Sequence, residues 1–154
     1  MKIITLTQLS KPDKIQLLEL WNNEYPKKLN YNSLQDLDDY LSGLTNQSHT
    51  LILNNSDEIV GWYFDFIRDN QKWFAIILDA KIQGKGFGTL LLNKAKEKEQ
   101  ELNGWVIDHN HNKKLNGETY QSPLAFYLTN GFSLIKQSRL KLEHISAVKI
   151  KWSK

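Results

Sequence analysis

The sequence predicts an α/β fold in which a mixed β-sheet carries helices on its faces. Three observations lead to this prediction. The apolar run from Trp73 to Leu78 has the length and composition of a strand that is buried on both faces. A glycine-rich segment follows, and then a helical pattern whose expected stop is Gly104. Strand-like patterns with turn residues between them lie on both sides of this unit.

The whole chain is expected to follow the order β-αα-βββ-α-β-α-ββ. The first strand is predicted from Ile3 to Leu9. The first helix starts at the capping sequence Ser10-Lys11-Pro12-Asp13 and buries Ile15, Leu18, Trp21 and Tyr25. A second capped helix runs from Ser33 to Leu44, and a short helix opens at Ser122-Pro123 and ends near Asn130-Gly131. The other strands are predicted at Thr50 to Leu53, Glu58 to Ile67, Trp105 to Asp108, Phe132 to Leu142 and Ile145 to Trp152.

The composition is that of one globular domain over residues 1–154, with 40% apolar and 24% charged residues. There is no cysteine, which excludes disulfides, thiolate metal sites and a cysteine nucleophile, and fits a reducing cytoplasm. No apolar run reaches membrane-spanning length and no signal peptide is visible, so we expect no membrane partner. The net charge of +3 is too small to favour nucleic acid as a partner.

The segment Gln83-Gly84-Lys85-Gly86-Phe87-Gly88-Thr89 lies between the predicted central strand and its helix. Glycine allows the backbone to approach a ligand closely, and the first amides of a helix have no internal partner. Such a junction therefore suits a phosphate or pyrophosphate. The spacing fits neither a Walker A loop nor a dinucleotide fingerprint. A tight turn without any ligand is the alternative reading.

Two motifs, in order, carry a resemblance to a known family. Gln83-x-x-Gly86-x-Gly88 looks like the acetyl-CoA pyrophosphate loop of the GNAT superfamily of N-acetyltransferases. Phe126-Tyr127-x-x-Asn130-Gly131-Phe132 resembles the second signature of that superfamily. The two helices after the first strand also match, so the resemblance covers nearly the whole chain and implies the GNAT fold.

The resemblance implies a role for each matching position. The loop would hold the pyrophosphate of acetyl-CoA, and the end of the central strand would part from its neighbour to admit the pantetheine arm. Tyr127 would be the general acid, and an amide near Leu78 would stabilise the oxyanion. The implied cofactor-binding residues are Ile76, Ile77, Leu78, Gln83, Gly84, Lys85, Gly86, Phe87, Gly88 and Thr89. The acceptor residues expected by analogy are Tyr25, Tyr31 and Trp62.

The general base is the least determined part of the site. Many relatives carry a glutamate on the central strand, but Trp73 to Leu78 contains no carboxylate. Asp65 and His109 are the catalytic candidates that we single out, because burial of Asp65 in an aromatic strand would raise its pKa and His109 follows the strand beside the acetyl group. The other candidates are Asp79, Asp108, Glu118 and a chain of water molecules.

Two further segments need separate treatment, because one departs from the family pattern and the other contains two closely spaced histidines. Tyr120 stands near the position of a common family asparagine, and residues 110–119 form a longer connection that we expect to shape the acceptor pocket. His109 and His111 could share a metal if they lay on a strand, but no third ligand is evident, so we expect no metal.

Together these features predict an enzyme that moves an acetyl group from acetyl-CoA to a primary amine of a small molecule, by direct attack in a ternary complex. The alternative is a non-catalytic acyl-CoA-binding or regulatory module of the same fold. Analogy to relatives also implies a homodimer.

Overall fold

The computed structural model describes residues 1–143 and 145–154. Its helices are α1 (Lys11–Glu24), α2 (Leu34–Ser42), α3 (Phe87–Lys98) and α4 (Leu124–Thr129), with 3₁₀ turns at Lys27–Leu29 and Ala80–Ile82. Its strands are β1 (Lys2–Leu6), β2 (Thr45–Leu53), β3 (Ile59–Arg68), β4 (Gln71–Leu78), β5 (Glu101–Val106), β6 (Ser133–Lys141) and β7 (Ser146–Ser153).

Within the described residues the strands form one mixed sheet in the order β1-β2-β3-β4-β5-β7-β6. The predicted fold class and element order are therefore confirmed. All neighbouring strands are antiparallel except β4 and β5, which run parallel. These two strands pair at Trp73 and Asn103, near the start of β4, and the register extends no further in the described chain. The second half of β4 thus has an open side, which creates the site described below.

The sheet is covered on both faces. Helices α3 and α4 pack on one face, where Leu91, Leu92 and Tyr127 belong to one buried cluster. Helices α1 and α2 cover the other face, where Leu17 and Leu37 are fully buried against β2 and β3. Burial of apolar side chains on each face is the main stabilising contribution to this layered arrangement.

The predicted caps of the first two helices are present. Ser10 accepts a hydrogen bond from the Asp13 amide at 3.2 Å, and Asp13 accepts one from the Ser10 amide at 3.4 Å, which completes a capping box. Ser33 caps α2 through the Asp36 amide. The predicted buried face of α1 was wrong at Ile15, which is 52% exposed, because Leu17 and Leu20 face the sheet instead.

The expected end of α3 at Gly104 was wrong. The helix ends at Lys98, and Leu102 and Gly104 belong to β5, which starts at Glu101 rather than at Trp105. Leu102 happens to continue the helical spacing, but it is fully buried as a strand residue. Within α3, Leu91 and Leu92 are buried, whereas Leu90 is 41% exposed.

Two strand bounds also differ from the prediction. Strand β2 begins at Thr45 rather than at Thr50, although its first residues are polar. A register shift between Thr45 and Ser48, with Asn46 at a φ of 52°, lets this irregular part pair with β3. Strand β1 ends at Leu6 rather than at Leu9 because the chain turns towards the cap at Ser10.

Candidate active site

The glycine loop between β4 and α3 forms a cradle of open backbone. Gly84 and Gly86 have φ angles of 73° and 89°, and a β-carbon built on either would meet no atom within 4 Å. Helix α3 starts at Phe87, and its first internal hydrogen bond runs from the Leu90 amide to the Gly86 carbonyl at 3.0 Å. The preceding amides therefore lack helical partners and lie at the positive end of the helix dipole. This geometry fits a pyrophosphate.

A cavity of about 490 Å³ extends from this loop and is called here the loop cavity. Eight of the ten residues predicted to bind cofactor line it: Ile76, Ile77, Leu78, Gln83, Gly84, Gly86, Gly88 and Thr89. Lys85 and Phe87 do not line it. Lys85 is exposed, and Phe87 packs against the core on the α3 side of the sheet.

The open side of β4 presents main-chain groups to the loop cavity. Lys72 O accepts from Asn103 Nδ2 at 3.0 Å, and Leu78 O accepts from Gln83 Nε2 at 2.9 Å, whereas Asp79 N donates to Val60 O of the opposite neighbour. The hydrogen-bonding direction of the main chain alternates along a strand. The N–H and C=O groups of the even-numbered residues of β4 therefore point towards β5. The amides of Ile76 and Leu78 therefore point into the gap where β4 and β5 part.

A second cavity, of about 420 Å³, lies on the other side of this gap. Its lining is largely aromatic, and it is called here the aromatic cavity. Its aromatic residues are Trp21, Tyr25, Tyr31, Tyr40, Phe66, Trp73, Phe74, Trp105, Tyr120 and Tyr127. The two cavities share the residues Tyr25, Ile76, Tyr120, Pro123 and Tyr127. A ligand in one cavity can therefore meet a ligand in the other at this junction.

Tyr127 is held at the junction by the end of α4. Gly131, with a φ of 88°, ends the helix, and the Phe132 amide then donates to the Tyr127 carbonyl at 3.1 Å. The Tyr127 ring packs edge-on against Phe74 and Phe132. Its hydroxyl has no hydrogen-bond partner among residues 1–143 and 145–154. Burial, with a smaller effect of Tyr120, raises the pKa of Tyr127 well above its ordinary value.

Four other tyrosines line the aromatic cavity together with Tyr127. Tyr25 lies in both cavities, and its pKa is raised by burial and then by Tyr120. Burial raises the pKa of Tyr120 to about 12. The sequence singled out Tyr25, Tyr31 and Tyr120, but it missed Tyr40, which lies beside the buried positions of α2. The side chains of these tyrosines are neutral hydrogen-bonding groups on an apolar wall.

The expectation that Trp62 contacts the acceptor was wrong for this structure. Trp62 is fully buried between the sheet and α1, and it lines neither cavity. Its Nε1 donates to His49 Nδ1 at 3.1 Å. The alternation along β3 directs this side chain into the core, so it supports the aromatic wall from behind.

Asp65 is buried but lies outside both cavities. It accepts a hydrogen bond from the Tyr63 hydroxyl at 2.8 Å and lies 3.6 Å from Lys72 Nζ, which also contacts Glu99 at 3.2 Å. Burial raises the pKa of Asp65, and the Tyr63 hydrogen bond and Lys72 oppose that rise. In register it lies opposite Phe74, four residues along β4 from the Leu78 end. The structure therefore does not place Asp65 where it could accept a proton from the acceptor.

His109 likewise lies away from the junction. Its ring stacks on that of His111 with 4.5 Å between centroids, and its Nδ1 accepts from the His111 amide. Neither histidine lines the loop cavity or the aromatic cavity. In the described part of the chain, no three potential metal ligands cluster.

The remaining predicted bases have other partners or stand in solvent. Asp79 caps the turn Ala80–Ile82 by accepting from the Lys81 amide, and Asp108 pairs with Arg139 at 2.7 Å. Glu118 is exposed. None of the three lines either cavity.

Glu24 lines the loop cavity and was missed from the sequence. One of its oxygens accepts from the Ala80 amide at 3.0 Å, and the other pairs with Lys114 at 2.9 Å. The Lys27 amide donates to the Lys113 carbonyl in the same region. The end of α1, the end of β4 and the segment 112–120 are thus joined at one carboxylate. Only the fold brings Glu24 and Lys114 together, 90 positions apart in sequence.

The GNAT resemblance implies three features that this site contains. They are a loop that fits pyrophosphate, a pair of strands that part, and a buried tyrosine between the two cavities. The family comparison agrees. The family described as acetyltransferase (GNAT) domain matches residues 46–134, more than half of the 154-residue chain. The chain therefore belongs to the GNAT acetyltransferase family, a family of N-acetyltransferase enzymes.

Solved structures show the same fold at low sequence identity. An aminoglycoside 6′-N-acetyltransferase complexed with coenzyme A superposes with a TM-score of 0.72 at 14% identity, over 99% of this chain and 97% of that one. A phosphinothricin acetyltransferase from Sinorhizobium meliloti in complex with acetyl-CoA gives 0.69 at 13% identity, over 99% and 89%. A spermidine N-acetyltransferase variant from Vibrio cholerae gives 0.66 at 18% identity, over 99% and 95%. No sequence among curated proteins matches this chain.

The length and apolar character of the helices decide whether any of them could cross a membrane. In the part of the chain that the structure describes, no helix is both long and apolar enough to cross a membrane.

Proposed function

We propose that this protein binds acetyl-CoA in the loop cavity and transfers the acetyl group to a primary amine of a small molecule held in the aromatic cavity. The observation that carries the proposal is the junction of the two cavities at Tyr127 and Ile76. In a ternary complex the amine must approach the thioester carbonyl in line, and the two cavities meet at Ile76, on the open edge of β4. Similar structures that hold coenzyme A or acetyl-CoA support the choice of ligand.

The loop and the strand edge define how acetyl-CoA would lie. The pyrophosphate would take the free amides at the start of α3, beside Gly84 and Gly86. The pantetheine arm would run along β4 and use the Leu78 amide that faces the gap. Acetyl-CoA supplies the activated acetyl thioester, and the protein supplies position and electrostatics.

The amide that stabilises the oxyanion is better assigned to Ile76 than to a group near Leu78. Both amides face the gap, but only Ile76 borders both cavities. Attack of the amine on the thioester carbonyl forms a C–N bond and places negative charge on oxygen. An amide at that position stabilises the charge.

Tyr127 is assigned as the general acid. When the C–S bond breaks, the departing thiolate takes the proton of the Tyr127 hydroxyl. The second proton of the amine nitrogen, which that nitrogen loses after it has attacked the carbonyl, restores the hydroxyl. The residue is buried, its hydroxyl has no hydrogen-bond partner in the described chain, and the hydroxyl remains protonated because burial raises its pKa. Such proton transfer typically contributes ~10²–10⁴-fold to the rate.

Deprotonation of the amine needs no carboxylate in this site. No Asp or Glu stands among the described residues that line the aromatic cavity. An alkylammonium has an ordinary pKa near ~10.4, but transfer into an apolar cavity disfavours the charged form and lowers that pKa. We therefore assign proton release to desolvation of the acceptor, with solvent as the final proton carrier, in place of Asp65 or His109.

The test is release of coenzyme A from acetyl-CoA, measured with a thiol reagent, in the presence and absence of amines. The proposal predicts release that depends on the amine and a product whose mass is 42 Da above that of the amine, since an acetyl group replaces one hydrogen. The alternative from the sequence, a non-catalytic acyl-CoA-binding module, predicts binding of acetyl-CoA without release for any amine. That outcome would overturn the proposal.

We further propose that residues 1–154 form a single N-acetyltransferase domain that works in the cytoplasm, in keeping with the absence of cysteine. A homodimer is proposed by analogy alone and has no role in the site as described.

A further inference from the structure

We infer that the acceptor is a largely apolar, aromatic amine that also carries one acidic group, and that Arg68 binds this group. The inference rests on the proposed function and deepens it, because it names the class of amine. It comes from the charges that line the aromatic cavity, which differ from those that a polycationic amine would need.

The first step is the charge of the cavity. Arg68, at the end of β3, is the one charged residue among the described residues that line it. A substrate with several ammonium groups would have to leave water for a cavity whose described lining contains a guanidinium and no carboxylate. Desolvation and like-charge repulsion both oppose that transfer. Polyamines and aminoglycosides are therefore disfavoured as acceptors.

The guanidinium of Arg68 contacts two aromatic rings and has hydrogen-bond donors that are free within the described chain. Its guanidinium carbon lies 5.0 Å from the Phe66 ring centre and 5.5 Å from that of Trp73. These two aromatic faces hold the side chain at the cavity wall. It forms no ion pair with a carboxylate of the described chain. A guanidinium with free donors is suited to bidentate binding of a carboxylate or a phosphate.

The distance between Arg68 and the proposed transfer point limits the shape of the acceptor. Arg68 packs over Trp73, and the proposed transfer point is at Ile76, three residues further along β4. At about 3.3 Å per residue, the acidic group and the reacting amine are separated by on the order of 10 Å. A carboxylate on the same carbon as the amine cannot span this distance. The acid must therefore stand across an apolar body, and the aromatic wall provides the surface for that body.

The experiment uses four amines with the acetyl-CoA-loaded protein: 4-(2-aminoethyl)benzoate, 2-phenylethylamine, phenylalanine and spermidine. Binding is measured by calorimetry on the complex with coenzyme A, and turnover by coenzyme A release. The protein should bind 4-(2-aminoethyl)benzoate at least tenfold more tightly than each of the other three. Arg68→Gln should remove that preference without weakening the binding of 2-phenylethylamine, because the substitution also removes a positive charge that repels the ammonium group. Lys94→Gln, which removes one positive charge from an exposed position of α3, is the matched control and should change neither.

The two proposals fail differently. Selective binding that depends on Arg68, without coenzyme A release, would contradict the acetyltransferase assignment and support the Arg68 site. Release with spermidine as the preferred amine, or a preference that survives Arg68→Gln, would overturn the Arg68 site and leave acetyl transfer intact.

Discussion

Gly88 lies against the ring of Phe126, so closely that a β-carbon on Gly88 would stand 2.7 Å from the Phe126 Cζ atom. Gly88 belongs to the first turn of α3, and Phe126 precedes Tyr127 on α4. The contact therefore fixes the distance between the pyrophosphate cradle and the proposed general acid. It gives the third glycine of the loop a packing role that differs from the open space at Gly84 and Gly86.

Gly88→Ala should lower turnover at least tenfold and weaken acetyl-CoA binding, because the added methyl group must displace the Phe126 ring and with it α4. The strain should be relieved in the double variant Gly88→Ala with Phe126→Leu, which restores space. Steady-state kinetics of the two single variants and the double variant measure the coupling. Additive effects would show that this contact does not position Tyr127.

Gly86→Glu should abolish binding of acetyl-CoA, because it places a carboxylate at the proposed pyrophosphate site. Gly117→Glu is the matched control. Gly117 also has a positive φ, of 87°, and also has open space around a β-carbon, so both variants carry the same backbone strain. Calorimetric titration should show lost affinity for the first variant and full affinity for the second, with similar thermal unfolding. Equal affinity in the two would contradict the loop assignment.

Tyr127→Phe should lower kcat by ~10²–10⁴-fold and leave the Kd for acetyl-CoA unchanged, since only the hydroxyl is lost. The wild-type pH profile gives a second check. A raised pKa keeps the hydroxyl protonated through its ordinary value of 10.0, so ionisation of Tyr127 should not reduce kcat at or below that pH. A falling limb near pH 8 that disappears in the variant would argue against this environment, and unchanged kcat would make Tyr127 structural.

Asp65→Asn should leave turnover within about twofold of wild type, because Asp65 contacts neither cavity. It should instead change how stability depends on pH. The folded-state pKa of Asp65 is raised above 3.8. Its contribution to the free energy of unfolding is therefore most favourable below pH 3.8 and is lost as pH rises through the folded-state pKa.

The free energy of unfolding of Asp65→Asn, relative to wild type, should thus increase as pH rises from 4 to 8. Urea unfolding at several pH values measures this change. Asp57→Asn, at an exposed pair with Lys2, is the control and should show little change. A large loss of turnover in Asp65→Asn would return this residue to the list of candidate bases.

The sequence predicted the elements and the loop well, because their signals are local. Capping residues, a run of apolar residues and closely spaced glycines each act within one turn or one strand. The end of α3 was missed because Leu102 continues the helical spacing by coincidence and Gly104 is typical of a helix stop, while their burial in β5 depends on pairing with β7.

The acceptor side of the site was less accessible from sequence, because it is assembled across the sheet. Arg68 lies just beyond the strand predicted at Glu58 to Ile67, and its place at the aromatic cavity depends on the pairing of β3 with β4. Trp62 looked like a pocket residue, but alternation in β3 could not tell which face was the core. Glu24 acquires its place only when Lys114 and Ala80 fold against it.

The central claim is that the glycine loop and the open edge of β4 bind acetyl-CoA. Calorimetric titration of the protein with acetyl-CoA, coenzyme A and NAD tests it most directly. The account predicts micromolar binding of acetyl-CoA and coenzyme A, and no binding of NAD, since the loop lacks the dinucleotide spacing. If neither coenzyme A species binds, the three glycines form only a turn, and the proposed function is contradicted.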